Sequence, residues 1–486
     1  KLLPEEDWQS NQTGFVKYNI YSDETKAVIE AFLKGLIPEI ANHPALNSIC
    51  ISNEPTYRIG RDASNAPAWQ AYLRELYQDD VALMNETWHE NFESFEAVPL
   101  AETYENLAMY YDYLRFNDKM FAEWHAWMAG IIREIAPDVP LHAKIMSVVN
   151  QTESTGADQP IVRGTDPELF AQFTDLNGND AWNFIGSSRT MLVKNLWYDL
   201  LTSIKNVPVF NSEDHVIEDR DERYTSQYAP HIATDIWQGA LHGRSATTMW
   251  KWDRSLLTTD SASGNIKHRP DAVALTGKAM LDLNRLGAQM QAMQQVQPEV
   301  ALYYSYPSRV YSQTHMNGVY KAYEAISYNG QRTKIVTEQM LAQDQLTGVK
   351  LLVVPNVVST TPEALEGIKR FIENGGKVLT IGECFAYDVH QNPFENQETV
   401  QYILSQAQQI EAQAGENPLQ LEPAENLGTA IWNAMNALGM CSVELIDAET
   451  GARVSDTEWC YTEYDGGLLL NLCLYDWDAG RSVVVK

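Results

Sequence analysis

From about residue 15 to 290, short apolar runs alternate with segments of helical spacing, and no other feature constrains the fold as strongly. The strand-like runs are 15–20, 47–52, 140–147, 181–185, 207–210 and 245–252. The helical stretches between them are 24–40, 66–83, 105–136, 167–174, 191–204 and 228–241, and 270–293 follows as a long closing helix. Strands separated by helices cannot pair as hairpins, so they form βαβ units in a parallel sheet. Five or six such units suit most of a (β/α)8 TIM barrel that lacks its first two or so strands, so residues 1–295 are predicted to be an N-terminally incomplete barrel. Lys1 does not look like a natural start, and the chain is expected to be part of a longer protein whose targeting signal would lie upstream.

A second pattern begins after Pro298. Strands at 299–304, 333–337, 349–354 and 376–381, with helices at 316–327 and 362–374, predict a small doubly wound α/β domain over residues 296–420. The Gln-rich stretch 400–420 reads as a solvated helix and loop. Residues 421–486 end in period-two segments, 467–474 and 481–485, which predict antiparallel β-structure.

Composition excludes several classes of function. The net charge is −30, from 65 acidic against 35 basic residues, which argues against nucleic acid or an anionic membrane as partner. No run approaches the roughly 18 apolar residues of a membrane-spanning helix. Five cysteines without a Cys-x-x-Cys pair exclude a disulfide scaffold and a cysteine-rich zinc site, and they leave the compartment open. No histidine pair among His215, His231, His242 and His268 has metal-binding spacing, so no metal and no cofactor is expected.

The chemistry lies at strand ends. The run 46–51 closes in Ser52-Asn53-Glu54-Pro55, where the proline stops strand pairing. The run 207–210 closes in Asn211-Ser212-Glu213-Asp214-His215. Carboxylates at the ends of two strands of a parallel barrel are what glycoside hydrolysis requires, one donating a proton to the leaving oxygen and the other acting as nucleophile or base. A capping glutamate or a solvated acidic loop would explain either residue alone, but not the pair.

Asn53 offers an amide beside the acid, suited to a sugar hydroxyl, and Trp250 at a third strand end offers a stacking surface, with Trp252 equally readable as core. His215 lies two residues past Glu213, where it would touch substrate or the glutamate. His142 and Lys144 alternate with apolar residues on one strand, so one of them would face the barrel mouth. Tyr57 and Lys144 complete the expected substrate contacts. Cys384, after the strand 376–381, has the look of a nucleophile in a doubly wound domain, but no His-x-Glu pair follows it.

These features in this order resemble glycoside hydrolase family 42, the retaining clan A β-galactosidases, over about residues 15–486. The resemblance is carried by Asn53-Glu54-Pro55, the helix Ala68–Tyr77 with Leu83-Met-Asn-Glu-Thr-Trp88, Tyr111–Phe116 and Ile132–Pro137. It implies that Glu54 is the acid/base, that Glu213 is the nucleophile, and that 296–420 is a non-catalytic amidotransferase-like trimerisation domain. It also implies that the protein is an exo-acting homotrimer cleaving β-linked oligosaccharides or polysaccharide fragments. Some members bind zinc through a cysteine cluster after the acid/base, whereas the short stretch 56–66 here has no cysteine. Phe-Asn-Ser-Glu-Asp-His around Glu213 and His-Ala-Lys-Ile-Met on the Lys144 strand also depart from the family pattern. They raise the alternative of a clan A enzyme of other specificity (β-agarase-like, β-mannosidase or β-glucosidase type) and, further off, a non-catalytic sugar-binding barrel.

Overall fold

The computed structural model describes residues 18–100, 105–147, 164–182, 188–217, 227–252, 266–267, 269–312, 314–394, 397–411, 425–475 and 480–486. The chain divides into two compact units. One is Lys1–Asp180 with Arg309–Tyr311 and Tyr387–Phe394, and the other is Ala181–Ser308, Ser312–Ala386 and Glu395–Lys486. This division does not fall at the expected boundaries near 295 and 420.

In the first unit the order is α1 (Asp23–Ile40), β1 (Ile49–Asn53), α2 (Ala66–Leu76), α3 (Val81–Trp88), α4 (Leu107–Ile135), β2 (Leu141–Met146), α5 (Pro167–Ala171) and β3 (Asn177–Asp180). β1 pairs in parallel with β2, and β2 with β3. The helix expected over 66–83 is broken, because Gln78 and Asp79 take left-handed φ of 54° and 59°. The Asp80 carboxylate then starts α3 by accepting from the Ala82 and Leu83 amides. α4 begins where the Asn106 side chain caps the Met109 amide at 3.0 Å, and it stops just ahead of Pro137.

β3 is Asn-Gly-Asn-Asp, four residues earlier than the apolar run 181–185 that was expected to be the strand. Ala181 and Trp182 lie beyond it, and 183–185 lies outside the described residues. The strand forms because Gly178 has no side chain. A Cβ there would lie 2.5 Å from the Ala143 carbonyl and 2.6 Å from the His142 ring, so only glycine lets this backbone pair with β2. Residues 15–17 of the strand expected over 15–20 lie outside the described residues, and of 18–20 only Tyr18 makes a bridge.

In the second unit α6 (Ser188–Ile204) leads to β4 (Val209–His215), α7 (Tyr228–Leu241), β5 (Arg244–Trp250), α8 (Pro270–Arg285) and α9 (Gly287–Gln294). β4 does not stop at Phe210. It stays paired in parallel with β5 as far as His215↔Trp250, with register irregularities on the way. The single helix expected over 270–293 breaks at Leu286, ahead of Gly287. Val216, Ile217, Tyr228, Ile232, Ile236, Ile266 and Ala272 form a buried cluster around α7.

The chain continues through β6 (Val300–Tyr303), α10 (His315–Ser327), β7 (Thr333–Val336), β8 (Leu351–Pro355), α11 (Pro362–Glu373), β9 (Lys377–Ile381), α12 (Gln397–Gln406) and β10 (Gln408–Ile410). These five strands make a parallel sheet in the order β10-β9-β8-β6-β7, with the unexpected β10 at its edge. α11 packs so closely that a Cβ on Gly367 would meet the Leu341 carbonyl at 2.1 Å.

The tail opens with a helix that was not expected, α13 (Glu425–Ala437). It is followed by β11 (Leu445–Asp447), β12 (Thr457–Tyr464), β13 (Gly467–Leu474) and β14 (Val483–Val485), forming two antiparallel pairs. Asp465 and Gly466, both at positive φ, turn the β12–β13 hairpin in the manner of a type I′ turn. Among the described residues no helix is long and apolar enough to cross a membrane.

A buried charge network joins α6, α10 and β12. His242 puts Nδ1 2.9 Å from Asp199 Oδ1 and Nε2 2.7 Å from Glu458 Oε1. Tyr323 donates to Asp199 at 2.7 Å, and Tyr475 donates to Glu458. Burial opposes a charge on His242, but the two carboxylates outweigh it and lift the pKa to about 9. A folded-state pKa above the unfolded value of about 6.5 means that the stabilisation is complete below pH 6.5 and lost as pH rises through 9. About 3 kcal/mol should disappear over that window. The expected result is a urea midpoint that falls from pH 7 to 10 in the native chain more steeply than in His242→Gln.

Candidate active site

In the first unit, β1 delivers Glu54 at its carboxyl end. The Glu54 amide still donates to the Lys144 carbonyl at 3.1 Å, but its φ is +45°, a left-handed value that a glutamate holds only when its surroundings impose it. The turn leaves the side chain about a quarter exposed and puts Oε1 3.8 Å from the ammonium of Lys144, which is itself buried on β2. Asn53 is exposed and faces Lys144 in the β1–β2 register. His142 is buried beside Gly178, and burial holds its pKa down to about 4, so the ring is neutral. The structure therefore brings Glu54, Asn53 and Lys144 together and sends His142 into the core.

Tyr57 departs from its expected role. It is fully buried, with its ring against Phe121 at 6.1 Å and edge-on to Tyr21 at 5.4 Å. A tyrosine just past an acid suggests a substrate contact, but here the loop folds back over α4 and carries the ring inward.

In the second unit, Glu213 projects from β4 with its side chain 14% exposed, and His215 Nε2 lies 3.1 Å from Glu213 Oε1. The imidazole stacks on Trp250 at 5.6 Å and meets Trp182 at 6.0 Å. Trp250 and Trp182 remain 36% and 40% exposed, enough for each to offer a face to a ligand.

Asp214 is completely buried among Lys194, Arg244 and Thr247. Asp235 bonds the same two cations, to Lys194 at 2.7 Å and Arg244 at 2.8 Å, so two positive charges meet two negative ones. This balance makes a buried carboxylate tolerable next to Glu213, and it anchors β4 to α6 and α7. Asn211 adds a further tie, with its side chain 3.0 Å and 3.2 Å from the Ala181 backbone. Trp182 and Asn211 were not foreseen. The signal for Trp182 was a tryptophan two residues after a polar tetrapeptide, but that tetrapeptide reads as a turn rather than a strand.

The remaining candidates have structural surroundings. His231 is buried on α7, His242 lies in the network above, and His268 lies outside the described residues. Trp252 is half exposed. The Cys384 thiol sits against the Val354 and Ile381 carbonyls, and burial pushes its pKa up to about 12, so it stays protonated and is no nucleophile. His390 bonds the buried Asp112 at 2.9 Å.

Parallel βα units whose strands end in carboxylates, beside an amide, an ammonium, an imidazole and indoles, define a class of α/β protein with acidic strand ends. The profile of glycoside hydrolase family 42, described as beta-galactosidase, matches residues 5–285, more than half of the chain, and the chain belongs to that family. It is similar to the beta-galactosidase BgaB of Geobacillus kaustophilus, 20% identical over 378 residues that make up 72% of this chain and 53% of that protein. It is also similar to the beta-galactosidase Pbg of Clostridium perfringens, 19% identical over 370 residues, 70% of this chain and 51% of that protein. The chain thus spans about half the length of these curated relatives. Among solved structures, the apo exo-carrageenase of family 42 from Bacteroides ovatus superposes with a TM-score of 0.77 at 19% identity. That superposition covers 97% of this chain and 66% of the other. At such identity the likeness establishes the fold, an α/β architecture with parallel sheets.

Proposed function

We propose that this chain carries the catalytic part of a retaining, exo-acting glycosidase that removes β-galactosyl units from oligosaccharides, with Glu54 as acid/base and Glu213 as nucleophile. The observation that carries the reading is that Glu54 directly follows β1 and Glu213 lies two residues before the carboxyl end of β4, both parallel strands within the family match. Residues 1–295 would then be part of a (β/α)8 barrel, and strand ends are where barrels hold their chemistry. An amidotransferase-like domain that assembles a homotrimer belongs to the same proposal.

In the first step the Glu213 carboxylate attacks the anomeric carbon while Glu54 gives its proton to the departing glycosidic oxygen. The Lys144 ammonium steadies the Glu54 carboxylate left behind. In the second step Glu54 takes a proton from water, the hydroxide oxygen displaces Glu213, and the sugar leaves with its original configuration. His215, donating to Glu213, fixes the rotamer of the nucleophile. Trp250 and Trp182 would stack on sugar faces, and Asn53 would bond a ring hydroxyl.

Aryl β-galactoside, β-fucoside, α-arabinoside, β-mannoside and β-glucoside, together with a carrageenan oligosaccharide, test the sugar. The galactoside should give the highest kcat/KM. A mannoside or glucoside preferred by about 10-fold or more would overturn the galactosyl assignment, since one well-recognised hydroxyl discriminates at least that strongly.

A further inference from the structure

One stripe of α4 meets the chain on both sides of Glu54. Its members, Tyr113, Asn117, Phe121 and His125, recur every four residues and so share one helix face. On the strand side, Ser52 Oγ lies 2.9 Å from His125 Nε2. His125 Nδ1 lies 2.8 Å from the Phe121 carbonyl, which only accepts, so Nδ1 carries the hydrogen and Nε2 accepts from the serine. The ring is fully buried among Phe121, Phe170 and Phe173, and burial holds its pKa near 4.

On the loop side, Asn117 accepts from the Ile59 amide and donates to the Tyr57 carbonyl, both at 2.9 Å. Phe121 stacks on the Tyr57 ring, and the Gly60 amide donates to Tyr113 at 3.3 Å. Asn65 closes the far end of the loop by donating to the Ile59 carbonyl at 3.1 Å.

Resting on the reading of Glu54 as acid/base, we propose that Ser52, Asn117 and His125 are positioning residues. They clamp residue 52 and residues 57–60 to α4, so that the left-handed turn at Glu54 aims its carboxyl at the leaving oxygen. Two fixed points only a few residues to either side leave the intervening backbone little choice. This is the over-determination that a glutamate at φ +45° requires. None of the three touches substrate; each acts through the direction of one carboxyl group.

The distinguishing readout is dependence on the leaving group, because proton donation matters for a poor leaving group and hardly for an activated one. Ser52→Ala and Asn117→Ala should lose about 10- to 100-fold in kcat/KM on phenyl glycosides and disaccharides, the scale of a misplaced catalytic group, and much less on the 2,4-dinitrophenyl glycoside. His125→Phe should behave alike, and His125→Gln, which keeps an acceptor for Ser52, should recover most of the loss. An equal loss on all leaving groups, or no loss, would overturn the positioning role. Glu54→Ala measured on the same series separates the two claims. If that variant itself fails to discriminate, the acid/base assignment falls. If it discriminates and the α4 variants do not, only the clamp falls.

Discussion

Glu213→Ala should be folded and able to bind sugar, yet turn over glycosides at least 10⁴-fold more slowly, on the order of the loss seen when a covalent nucleophile is removed. Attack on the anomeric carbon is then left to water without a covalent relay. The scaffold should tolerate the change, because the buried charges around β4 belong to Asp214 and not to Glu213. Azide should restore part of the rate by entering the vacated space, and the product should be the α-glycosyl azide, since attack comes from the face the glutamate occupied. Rates measured by released nitrophenol, with the azide product identified by NMR, check both parts. Turnover close to that of the native chain would remove Glu213 from the mechanism.

Glu54→Ala should behave differently, although the chemistry lost belongs to the same reaction. General acid–base catalysis contributes about 10²- to 10⁴-fold, so disaccharides should suffer that loss in full. A 2,4-dinitrophenyl glycoside should still form the glycosyl-enzyme readily and then wait for water to be activated. A burst of phenolate followed by a slow steady state is therefore expected in stopped-flow. Azide, which needs no deprotonation, should quicken the steady state and give the β-glycosyl azide. Opposite azide anomers from the two variants would assign the roles without reference to any relative.

Much of this was legible in the sequence where local pattern and tertiary environment agree. α7 and β13 lie where periodicity puts them, over 228–241 and 467–474, α7 because it buries the apolar set that its own spacing creates and β13 because it pairs with β12 along its whole length. β3 was hidden because Asn-Gly-Asn-Asp has no apolar residue, and its strand conformation comes from Gly178 fitting against β2. β4 runs on through Glu213 because pairing with β5 and the Lys194–Arg244 cluster hold polar residues in a strand. α13 had a signal, Leu427, Ile431 and Met435 at four-residue intervals, all buried, which the β-like pattern nearer the end masked.

The site divides in the same way. Glu54 was legible because Pro55 ends a strand beside it, and Lys144 because it alternates with apolar neighbours. The burial of Tyr57 and the partnership of Ser52 with His125 were not. Both depend on a face of α4 that returns to the loop from more than fifty residues away, and single-chain patterning carries no information about such a pairing.

The most direct test of the two-glutamate account is covalent trapping with a 2-deoxy-2-fluoro glycosyl fluoride of the sugar that the chain turns over best, followed by peptide mapping. The 2-fluorine slows both formation and release of the glycosyl-enzyme, while the fluoride leaving group offsets the effect on formation alone, so the nucleophile keeps the label. One fluorosugar on the peptide that contains Glu213, absent from Glu213→Ala and formed by Glu54→Ala, is the expected result. A label on any other carboxylate, or inverted product with no label, would contradict it.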